Sequence, residues 1–529
     1  MVYGIQVPTH LRSYDNSIII QRGRYDLFGF NCYKMKKTFI ITLSLFISFS
    51  ITLDAQYTFQ TTISNPDDQI INCVTEDDDG NFILVGRKYS KELDLTQAYL
   101  IRLAPSGELM DEMVFDTSQE SRTSMFFNVF FFNDNLFLLG SKRIDAETTK
   151  LLYLKLDKNL IIVNEKLLDI PASRWFSYMN SIIDSDSNFV ITGYTTRLDT
   201  NQNRDTNYNN DAFFYKLSLN GDSLTSHFYT SWVPIHFSFD LIESQDSSKY
   251  YAFVSHFTEV FGTSGQRLTL NKNLDSLNID SIPLRVYDFY SPIYLNQGEI
   301  LICGKSGAFP PNDYALNVLT ITETGSLIDY GTFKKNPFRD HPSMFQGVSK
   351  YDNNIYVGGT SNFDYYNPFF STLDSWFHLI KINPDITPIW ENWYGGDAYY
   401  FLYSILATSD SGCLMVGNRY DYETQDMERD IYVAKVDSEG LIVWTQEIQP
   451  DKHMFTIYPN PGNETLNVNL PLDQLEFQLF DLTGRMEFEA ELSSGTNSIT
   501  VSSLPAGIYL YRIYDRNQRM IQSGKWIKM

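Results

Sequence analysis

The sequence contains none of the short motifs by which common catalytic sites are recognised. It has no His-Glu-x-x-His, no Gly-x-Ser-x-Gly, no P-loop and no Gly-x-Gly-x-x-Gly. Its seven histidines are scattered, and none after His10 pairs with another at the spacing of metal ligands. Acid pairs for glycoside cleavage are defined by distances, which a sequence does not give. The motifs therefore favour a binding protein over an enzyme and imply no cofactor.

Two acidic runs could suggest calcium ligands. They are Asp77 to Asp79, and the series Asp184, Asp186 and Asn188. Both fall where a hairpin turn is expected, and no Glu follows at the twelfth position of a calcium-binding loop. Asp and Asn also accept hydrogen bonds from turn amides. The runs are therefore interpreted as turns, no metal site is predicted, and calcium binding at these turns stays open.

The remaining candidates are aromatic and polar residues in long, varied segments between short strands. Such residues can bind a glycan or a protein, since function tends to lie in loops on a rigid scaffold. The alternative is that these side chains only pack between sheets. The predicted ligand-binding residues are Trp175, Phe338, Arg339, His341, Tyr365, Tyr366, Trp376, Tyr399 and Tyr400.

These segments belong to a repeat marked by a glycine at the end of an apolar strand. The marker recurs at Gly86, Gly140, Gly193, Gly304, Gly358 and Gly417, with Ser255 in its place in a fourth, degenerate copy. The spacings are 54, 53, 62, 49, 54 and 59 residues. Periods of this size indicate solenoids, propellers or arrays. Helical repeats are excluded because the runs lack a 3.6-residue apolar period.

Each repeat reads as four short strands, as in residues 403–446, where Leu441–Gln446 is the fourth. Seven such units predict an all-β chain with a seven-bladed β-propeller over residues 56–450. The repeats resemble those of bacterial surface propellers. How the circle closes is not determined, although residues 57–62 could add a strand to the last unit.

Blade geometry sorts the connections onto two faces. The turns between strands 1 and 2 and between strands 3 and 4 are short and share one face. The connections between strands 2 and 3, and those between blades, share the other face and carry the candidate aromatic residues. We call these the turn face and the loop face. In five copies a basic residue precedes an apolar one on the third strand, and a solvated position is expected for it: Arg102, Lys155, Lys216, Lys381 and Lys435.

Composition limits the possible partners. The chain of 529 residues has a formal net charge of −23, which argues against nucleic acid because phosphate binding needs a basic surface. Aromatic residues make up 15% of the chain and favour β-structure. Of the four cysteines, Cys303 and Cys413 lie in apolar strands and are expected to be buried free thiols.

The start of the chain carries an export pattern. Met35 is followed by two lysines, then by the apolar run Thr38–Leu53 and a small residue, Ala55. This pattern predicts a signal peptide over residues 35–55, cleaved between Ala55 and Gln56. A transmembrane anchor is the alternative, but the run is short for a span of about 20 residues. No transmembrane helix is therefore expected in the mature chain, and residues 1–34 are interpreted as a mis-called upstream start.

Composition shifts after Trp444, and residues 455–529 predict a small antiparallel Ig-like β-sandwich. This unit closely resembles the C-terminal sorting domain of Bacteroidota type IX secretion substrates. The resemblance rests on four motifs in order: residues 458–461, 481–485, 504–509 and 525–528. The sorting-signal residues it implies are Tyr458, Pro459, Asn460, Pro461, Gly484, Gly507, Tyr509 and Lys525.

The resemblance implies passage across the outer membrane by the type IX machinery, with a secreted or surface-anchored product. The sequence thus predicts an exported propeller protein that binds a glycan or a protein through its loop face. The alternative is a carbohydrate-active hydrolase or lyase with a site near the propeller axis.

Overall fold

The computed structural model describes most of the chain after residue 56. The described residues are 57–115, 123–145, 148–170, 175–197, 209–229, 236–258, 262–282, 286–306, 314–335, 337–424, 427–442, 456–459, 461–470, 475–481, 485–514 and 520–529. The predicted signal peptide, its cleavage site at Ala55 and Gln56, and the predicted upstream start lie outside these residues. The described residues contain strands and turns and no helix.

The strands of the first half of the chain fall into consecutive groups. They are β1 (Phe59–Ile63); β2 (Asp68–Glu76), β3 (Phe82–Ser90), β4 (Leu95–Leu103) and β5 (Leu109–Phe115); β6 (Thr123–Phe132), β7 (Asn135–Arg143), β8 (Thr149–Asp157) and β9 (Ile162–Leu168); β10 (Trp175–Ile183), β11 (Asn188–Arg197), β12 (Asn209–Ser218) and β13 (Ser223–Tyr229); β14 (His236–Glu243), β15 (Lys249–Thr258), β16 (Gly262–Asn271) and β17 (Ser276–Ser281). We call the four groups from β2 to β17 sheets 1 to 4.

The following strands continue the pattern. They are β18 (Tyr287–Asn296), β19 (Glu299–Ser306), β20 (Ala315–Thr322) and β21 (Leu327–Phe333); β22 (Asp340–Pro342), β23 (Val348–Tyr351), β24 (Asn354–Ser361), β25 (Trp376–Ile382) and β26 (Pro388–Gly395); β27 (Tyr399–Ala407), β28 (Cys413–Tyr420) and β29 (Asp430–Val436). These are sheets 5 to 7. Sheets 1 and 2 are also joined by one parallel bridge, between Thr96 and Thr123.

Neighbouring strands within each sheet are antiparallel and follow the order of the chain, except that β22 and β23 both pair with β24 in sheet 6. The first strand of each sheet is the inner one. In sheets 1 to 6 the last strand is the outer one, with exposed residues such as Ile162 and Val163 of β9. Turn chemistry explains the tight connections. Asp77 Oδ1, for example, accepts hydrogen bonds from the amides of Asp79 and Asn81, at 3.0 and 2.8 Å.

Sheet 7 is completed by the start of the described chain. β1 pairs with the free edge of β29, with Thr61 opposite Val433. The prediction that Leu441–Gln446 forms the fourth strand of this sheet is therefore wrong, because β1 already pairs with that edge of β29. Residues 441 and 442 form no strand, and residues 443–446 lie outside the described residues.

Each sheet packs on the next through a shared apolar layer, and the last packs on the first. Leu414, Val416 and Ile431 of sheet 7 lie in one buried cluster with Ile71 and Leu84 of sheet 1. Clusters of the same kind join the other successive sheets. This part of the chain is therefore a closed, propeller-like arrangement of antiparallel sheets.

At four of the repeat positions, Gly86, Gly140, Gly193 and Gly417, the glycine is explained by a close approach of two backbones. A Cβ atom on Gly140 would lie 2.0 Å from the carbonyl oxygen of Met125, and one on Gly417 would lie 2.1 Å from that of Phe401. Both contacts are with the inner strand, which bulges at that point. Only a residue without Cβ fits there.

The C-terminal strands form two further sheets. They are β30 (Thr456–Tyr458), β31 (Thr465–Leu470), β32 (Leu475–Phe480), β33 (Met486–Leu492), β34 (Gly495–Thr500), β35 (Gly507–Tyr514) and β36 (Met520–Lys528). One sheet has the order β30-β31-β34 and the other β33-β32-β35-β36. They share a buried core that includes Leu466, Val468, Phe477, Ile513 and Trp526.

Candidate functional site

The inner strands of six of these sheets carry a polar residue near the place where the strand bulges. The residues are Asn72, Asn128, Asn180, Asp240, Ser291 and Ser404. Each lies at or beside the bulge of its inner strand. An extra residue in a strand re-aims side chains, and here it turns polar groups toward the neighbouring sheet. We call this set the polar belt.

Hydrogen bonds connect the first members of the belt from sheet to sheet. Asn72 Nδ2 donates to the carbonyl oxygen of Phe126 at 2.6 Å, and Asn128 Nδ2 donates to Asn180 Oδ1 at 2.9 Å. Asn180 Nδ2 donates in turn to Asp240 Oδ2 at 2.7 Å. The amide of Ser291 donates to the same oxygen at 2.7 Å. Sheets 1 to 5 are thus linked by polar contacts.

Sheet 6 takes part through its backbone. Its inner strand is interrupted between β22 and β23, and the amide of Gly347 donates to Ser291 Oγ at 2.8 Å. The amide of Ile405 donates to the carbonyl oxygen of Gln346 at 2.9 Å. Ser404 Oγ donates to the carbonyl oxygen of Asn72 at 2.6 Å, which returns the series to sheet 1.

A cavity of about 320 Å³ lies where the loop-face ends of the inner strands converge. Its apolar wall includes the rings of Phe127, Phe176, Phe345 and Phe369. Its polar wall includes Asn72 of the belt, Arg87, Arg143 and Tyr403. The volume is at the lower end of the range of small-molecule sites, about 300–1,000 Å³. Its described lining contains no Asp, Glu, His or Cys.

The aromatic residues predicted from sequence form two exposed or half-exposed groups. In the first, Tyr365 stacks on Tyr314 with ring centroids 5.1 Å apart and planes at 20°, and Tyr366 lies edge-on to Tyr365 at 6.0 Å. In the second, Phe338 lies against Trp376 at 5.3 Å, and Lys335 Nζ is 4.1 Å from the centre of the Trp376 ring.

Three other predicted residues are buried. His341 packs on Phe363 at 4.5 Å, and burial lowers its pKa to about 3. Burial raises the pKa of Tyr399 and of Tyr400. The hydroxyl of Tyr400 donates to Asp397 Oδ1 at 2.6 Å. These residues support the loop face from below. Their role in binding stays a prediction.

The last two predicted residues, Trp175 and Arg339, are described mainly through their backbones. The backbone of Trp175 begins β10, next to Phe176 of the cavity wall, and its side chain lies outside the described part of the structure. Arg339 is half-buried, and its carbonyl oxygen accepts a hydrogen bond from the amide of Phe363 at 2.8 Å. It therefore anchors the loop that carries Tyr365 and Tyr366.

A buried ionisable cluster lies beneath the second aromatic group. His378 is fully buried, with Nε2 at 2.7 Å from Glu391 Oε1 and Nδ1 at 3.4 Å from Asp340 Oδ2. Burial lowers the pKa of His378, but the nearby carboxylates of Asp340 and Glu391 outweigh it, so the pKa is raised overall. Trp393 stacks on the imidazole at 5.0 Å. Among the described residues no group of three or more His, Cys, Asp or Glu is arranged to hold a metal ion.

The acidic runs considered for calcium make the hydrogen bonds of tight turns. Asp184 Oδ1 accepts hydrogen bonds from the amides of Asp186 and Asn188, at 3.0 and 2.8 Å. Asp184 Oδ2 pairs with Lys216 Nζ at 2.9 Å and accepts from the hydroxyl of Tyr250 at 2.7 Å.

Three of the four C-terminal motifs meet in one corner of their own unit. Trp526 Nε1 donates to the carbonyl oxygen of Pro459 at 2.8 Å, and Tyr509 donates to that of Pro505 at 2.8 Å. The end of the chain is tied to the same corner, since the amide of Met529 donates to the carbonyl oxygen of Gly462 at 2.8 Å. Tyr458, Pro461, Gly507 and Lys525 are exposed, whereas Asn460 and Gly484 lie outside the described residues.

Residues 456–528 match the protein family described as the secretion system C-terminal sorting domain. These residues are a C-terminal sorting domain. The chain is therefore a type IX secretion substrate, and its destination is the outer-membrane surface or the medium. The described part of the chain contains no helix that is both long and apolar enough to span a bilayer. No curated protein matches the chain in sequence.

Solved structures resemble the chain only distantly. A fungal alcohol oxidase in complex with copper is 11% identical, with 90% of this chain and 100% of that chain covered and a TM-score of 0.41. The β-propeller domain of the trilobed protease from Pyrococcus furiosus is 9% identical, with 72% and 99% covered and a TM-score of 0.40. A puromycin-hydrolyzing peptidase from Mycobacterium tuberculosis is 9% identical, with 77% and 59% covered and a TM-score of 0.43. Because all three scores are below 0.5, none of these proteins' activities is transferred to this chain.

Sequence reasoning found the loop face but missed the lining of the cavity and the polar belt. The signal for the belt is present in the repeat, because a lone Asn, Asp or Ser interrupts an apolar inner strand at intervals of 56, 52, 60 and 51 residues from Asn72 to Ser291. The two cavity arginines follow the repeat glycine of their strands, Gly86 and Gly140, by one and three residues.

Proposed function

We propose that this chain is an exported glycan-binding protein whose seven four-stranded sheets form a closed β-propeller, followed by an Ig-like sorting domain. The binding surface is the aromatic platform formed by Tyr365 and Tyr366 on the loop face, with the buried ring of Tyr314 stacked against Tyr365. The polar belt and the shared apolar layers support a rigid scaffold, on which loops are well placed to bind.

The observation that carries this proposal is a pair of exposed tyrosine rings held in place by the loop beneath them. Tyr365 is 49% exposed and Tyr366 is 79% exposed. Asp364 Oδ1 accepts hydrogen bonds from the amides of Tyr366 and Asn367, and Ser371 Oγ donates to Asp364 Oδ2 at 2.8 Å. Phe363, 6% exposed, packs on Phe401 and anchors the loop.

Fixed aromatic rings suit a sugar because they offer a flat apolar surface and a polar hydroxyl at low entropic cost. A protein ligand would be expected to need a larger surface, roughly 800 Å² on each partner. The hydrolase alternative is not proposed, because no observation at the described cavity or platform favours it.

A glycan array with the purified full chain tests this proposal. We expect binding to at least one polysaccharide, and we expect Tyr365→Ala combined with Tyr366→Ala to weaken it at least about tenfold, through loss of stacking area. Tyr351→Ala is the matched control, because Tyr351 is 39% exposed at the opposite, turn face of the same sheet. Equal binding by the double variant and the wild-type chain would contradict the proposal.

A further inference from the structure

The cavity holds a guanidinium group with which no described residue forms an ion pair or a hydrogen bond. Arg87 lies on β3, half-buried, and lines the cavity. Within the described residues its side chain has no hydrogen-bond or ion-pair partner. Burial lowers its pKa, although arginine stays charged at any physiological pH. A charge removed from water without a partner is costly.

The neighbouring acid is already paired with another arginine. Asp68 accepts hydrogen bonds from Arg429 Nε at 2.8 Å and from Arg429 Nη2 at 2.6 Å, in a two-point ion pair. It also accepts from the Arg429 amide at 2.9 Å. Asp68 therefore has its own counter-ion, and the charge of Arg87 is left facing the cavity.

Two more side chains that line the cavity, Tyr403 and Arg143, carry hydrogen-bond donors. Tyr403 is 3% exposed and lines the cavity, and within the described residues its hydroxyl makes no hydrogen bond. Arg143 lies at the end of β7 and brings a second guanidinium, whose Nε donates to the carbonyl oxygen of Asp145 at 3.0 Å. The cavity lining thus combines two guanidinium groups and a tyrosine hydroxyl with aromatic rings, in a chain whose net charge is −23.

We propose that the axial cavity binds a small organic anion, an oxyanion group joined to an apolar ring or chain. The oxyanion accepts hydrogen bonds from Arg87 and Tyr403, with Arg143 as the second cation. The apolar body lies among Phe127, Phe176 and Phe345. A guanidinium suits this role because its planar donors match carboxylate, sulfate and phosphate groups. The low dielectric of the cavity strengthens the attraction.

Calorimetric titration of the full chain with small aromatic probes tests the charge requirement. The probes are benzoate, phenyl sulfate and phenyl phosphate, with benzamide and benzylamine as neutral and cationic counterparts. We expect at least one anion to bind at least about tenfold more tightly than benzamide, because hydrogen bonds to charged groups are the stronger ones. No detectable anion binding at millimolar concentration, or benzamide binding equally well, would overturn the proposal.

Variants then assign the binding to Arg87. Arg87→Met should weaken anion binding at least about tenfold, and Arg87→Lys should give a smaller loss, since it keeps the charge but not the two-point geometry. Arg102→Gln, on the neighbouring strand of the same sheet but outside the cavity lining, should bind as the wild-type chain does.

Thermal unfolding separates a ligand-binding arginine from a structural one. Without a probe, Arg87→Met should unfold at the same temperature as the wild-type chain or higher, because it removes an unpartnered charge. A large drop in Tm would show that Arg87 stabilises the fold and would contradict the proposal. This inference is independent of the glycan platform: loss of glycan binding in the tyrosine variants leaves the anion result unchanged.

Discussion

At the scale of single residues, the polar belt contains a carboxyl group in an unusual setting. Asp240 is 2% exposed, and burial raises its pKa to about 7. Three hydrogen bonds to the carboxylate, from Asn180, Leu241 and Ser291, lower the pKa but do not compensate for burial. The folded chain therefore holds a proton here that the unfolded chain releases near pH 4.

This difference makes the stability of the folded chain depend on pH. Because the folded-state pKa is raised, the contribution of Asp240 to the free energy of unfolding is fully present below about pH 4 and is lost as the pH rises toward 7. In the wild-type chain the free energy of unfolding should therefore fall by up to about 1.4 kcal/mol per pH unit in that window, and we expect Asp240→Asn to remove this dependence. Urea unfolding at pH 4.5, 6 and 7.5 measures it.

The control for this prediction is Asp134→Asn, at an exposed turn where the backbone φ of 56° suits asparagine. Its pH dependence should follow that of the wild-type chain. If the Asp240→Asn slope between pH 4.5 and 7.5 also matches the wild-type slope, Asp240 titrates normally in the folded chain.

At the scale of strands and sheets, the repeated basic residue shows where sequence reasoning was incomplete. A solvated position was expected for it, but Lys216 and Lys435 are buried. Lys435 Nζ pairs with Asp410 at 2.6 Å. The prediction failed because the third strand is not the outer one, and its basic residues reach the turn face of their own or the next sheet.

Several of these residues connect neighbouring sheets. Arg102 donates to the carbonyl oxygen of Lys158 at 2.8 Å, and Lys381 donates to that of Ser438 at 2.9 Å. The two contacts span 56 and 57 residues, which is one repeat. The repeat itself could be predicted from the sequence because strands and tight turns are set by local sequence. The contacts between sheets could not be predicted, because they depend on how one sheet packs against the next.

The same distinction applies to the candidate site. The exposed tyrosines of the platform were predicted, because long loops rich in aromatic residues are visible in sequence. The cavity was missed because its lining comes from five sheets that are distant in the chain, including Arg87, Phe176 and Tyr403. The sequence did not show whether His341 and Tyr399 are buried or exposed, because both residue types occur in either setting.

Because β1 completes sheet 7, we expect its removal to destabilise the closed arrangement of sheets. β1 covers the edge of β29, and its Phe59 packs against Phe82 of sheet 1 at 6.2 Å. A chain beginning at residue 64 should leave that edge unpaired and lower Tm by roughly 5 °C or more. A chain beginning at residue 59 is the control, because it keeps the strand. Equal Tm values for the two chains would show that β1 does not stabilise the closed arrangement.

At the scale of the whole molecule, the chain combines two units with separate cores. The buried cluster of the sorting domain shares no residue with the clusters of the propeller-like part. We therefore expect the propeller-like part to fold without the sorting domain, and we expect export to require that domain. Truncation should separate the two properties.

Truncation after Ser503 tests this separation. It removes β35 and β36, and with them Ile513 and Trp526, which are fully buried in the sorting-domain core. The edge of β32 that pairs with β35 is left bare, and the corner formed with Pro459 is lost. We expect the sorting domain to unfold, while the propeller-like part folds as before.

The expected result is a folded protein retained in the periplasm, because the outer-membrane secretion machinery can no longer recognise the sorting domain. Cell fractionation and limited proteolysis measure location and folding together. The control is Met529→Ala, which changes only an exposed terminal side chain, 67% exposed, and should leave export at the wild-type level. Truncated protein at the surface or in the medium in wild-type amounts would mean that another part of the chain directs export, and loss of the protease-resistant core would mean that the two units do not fold separately.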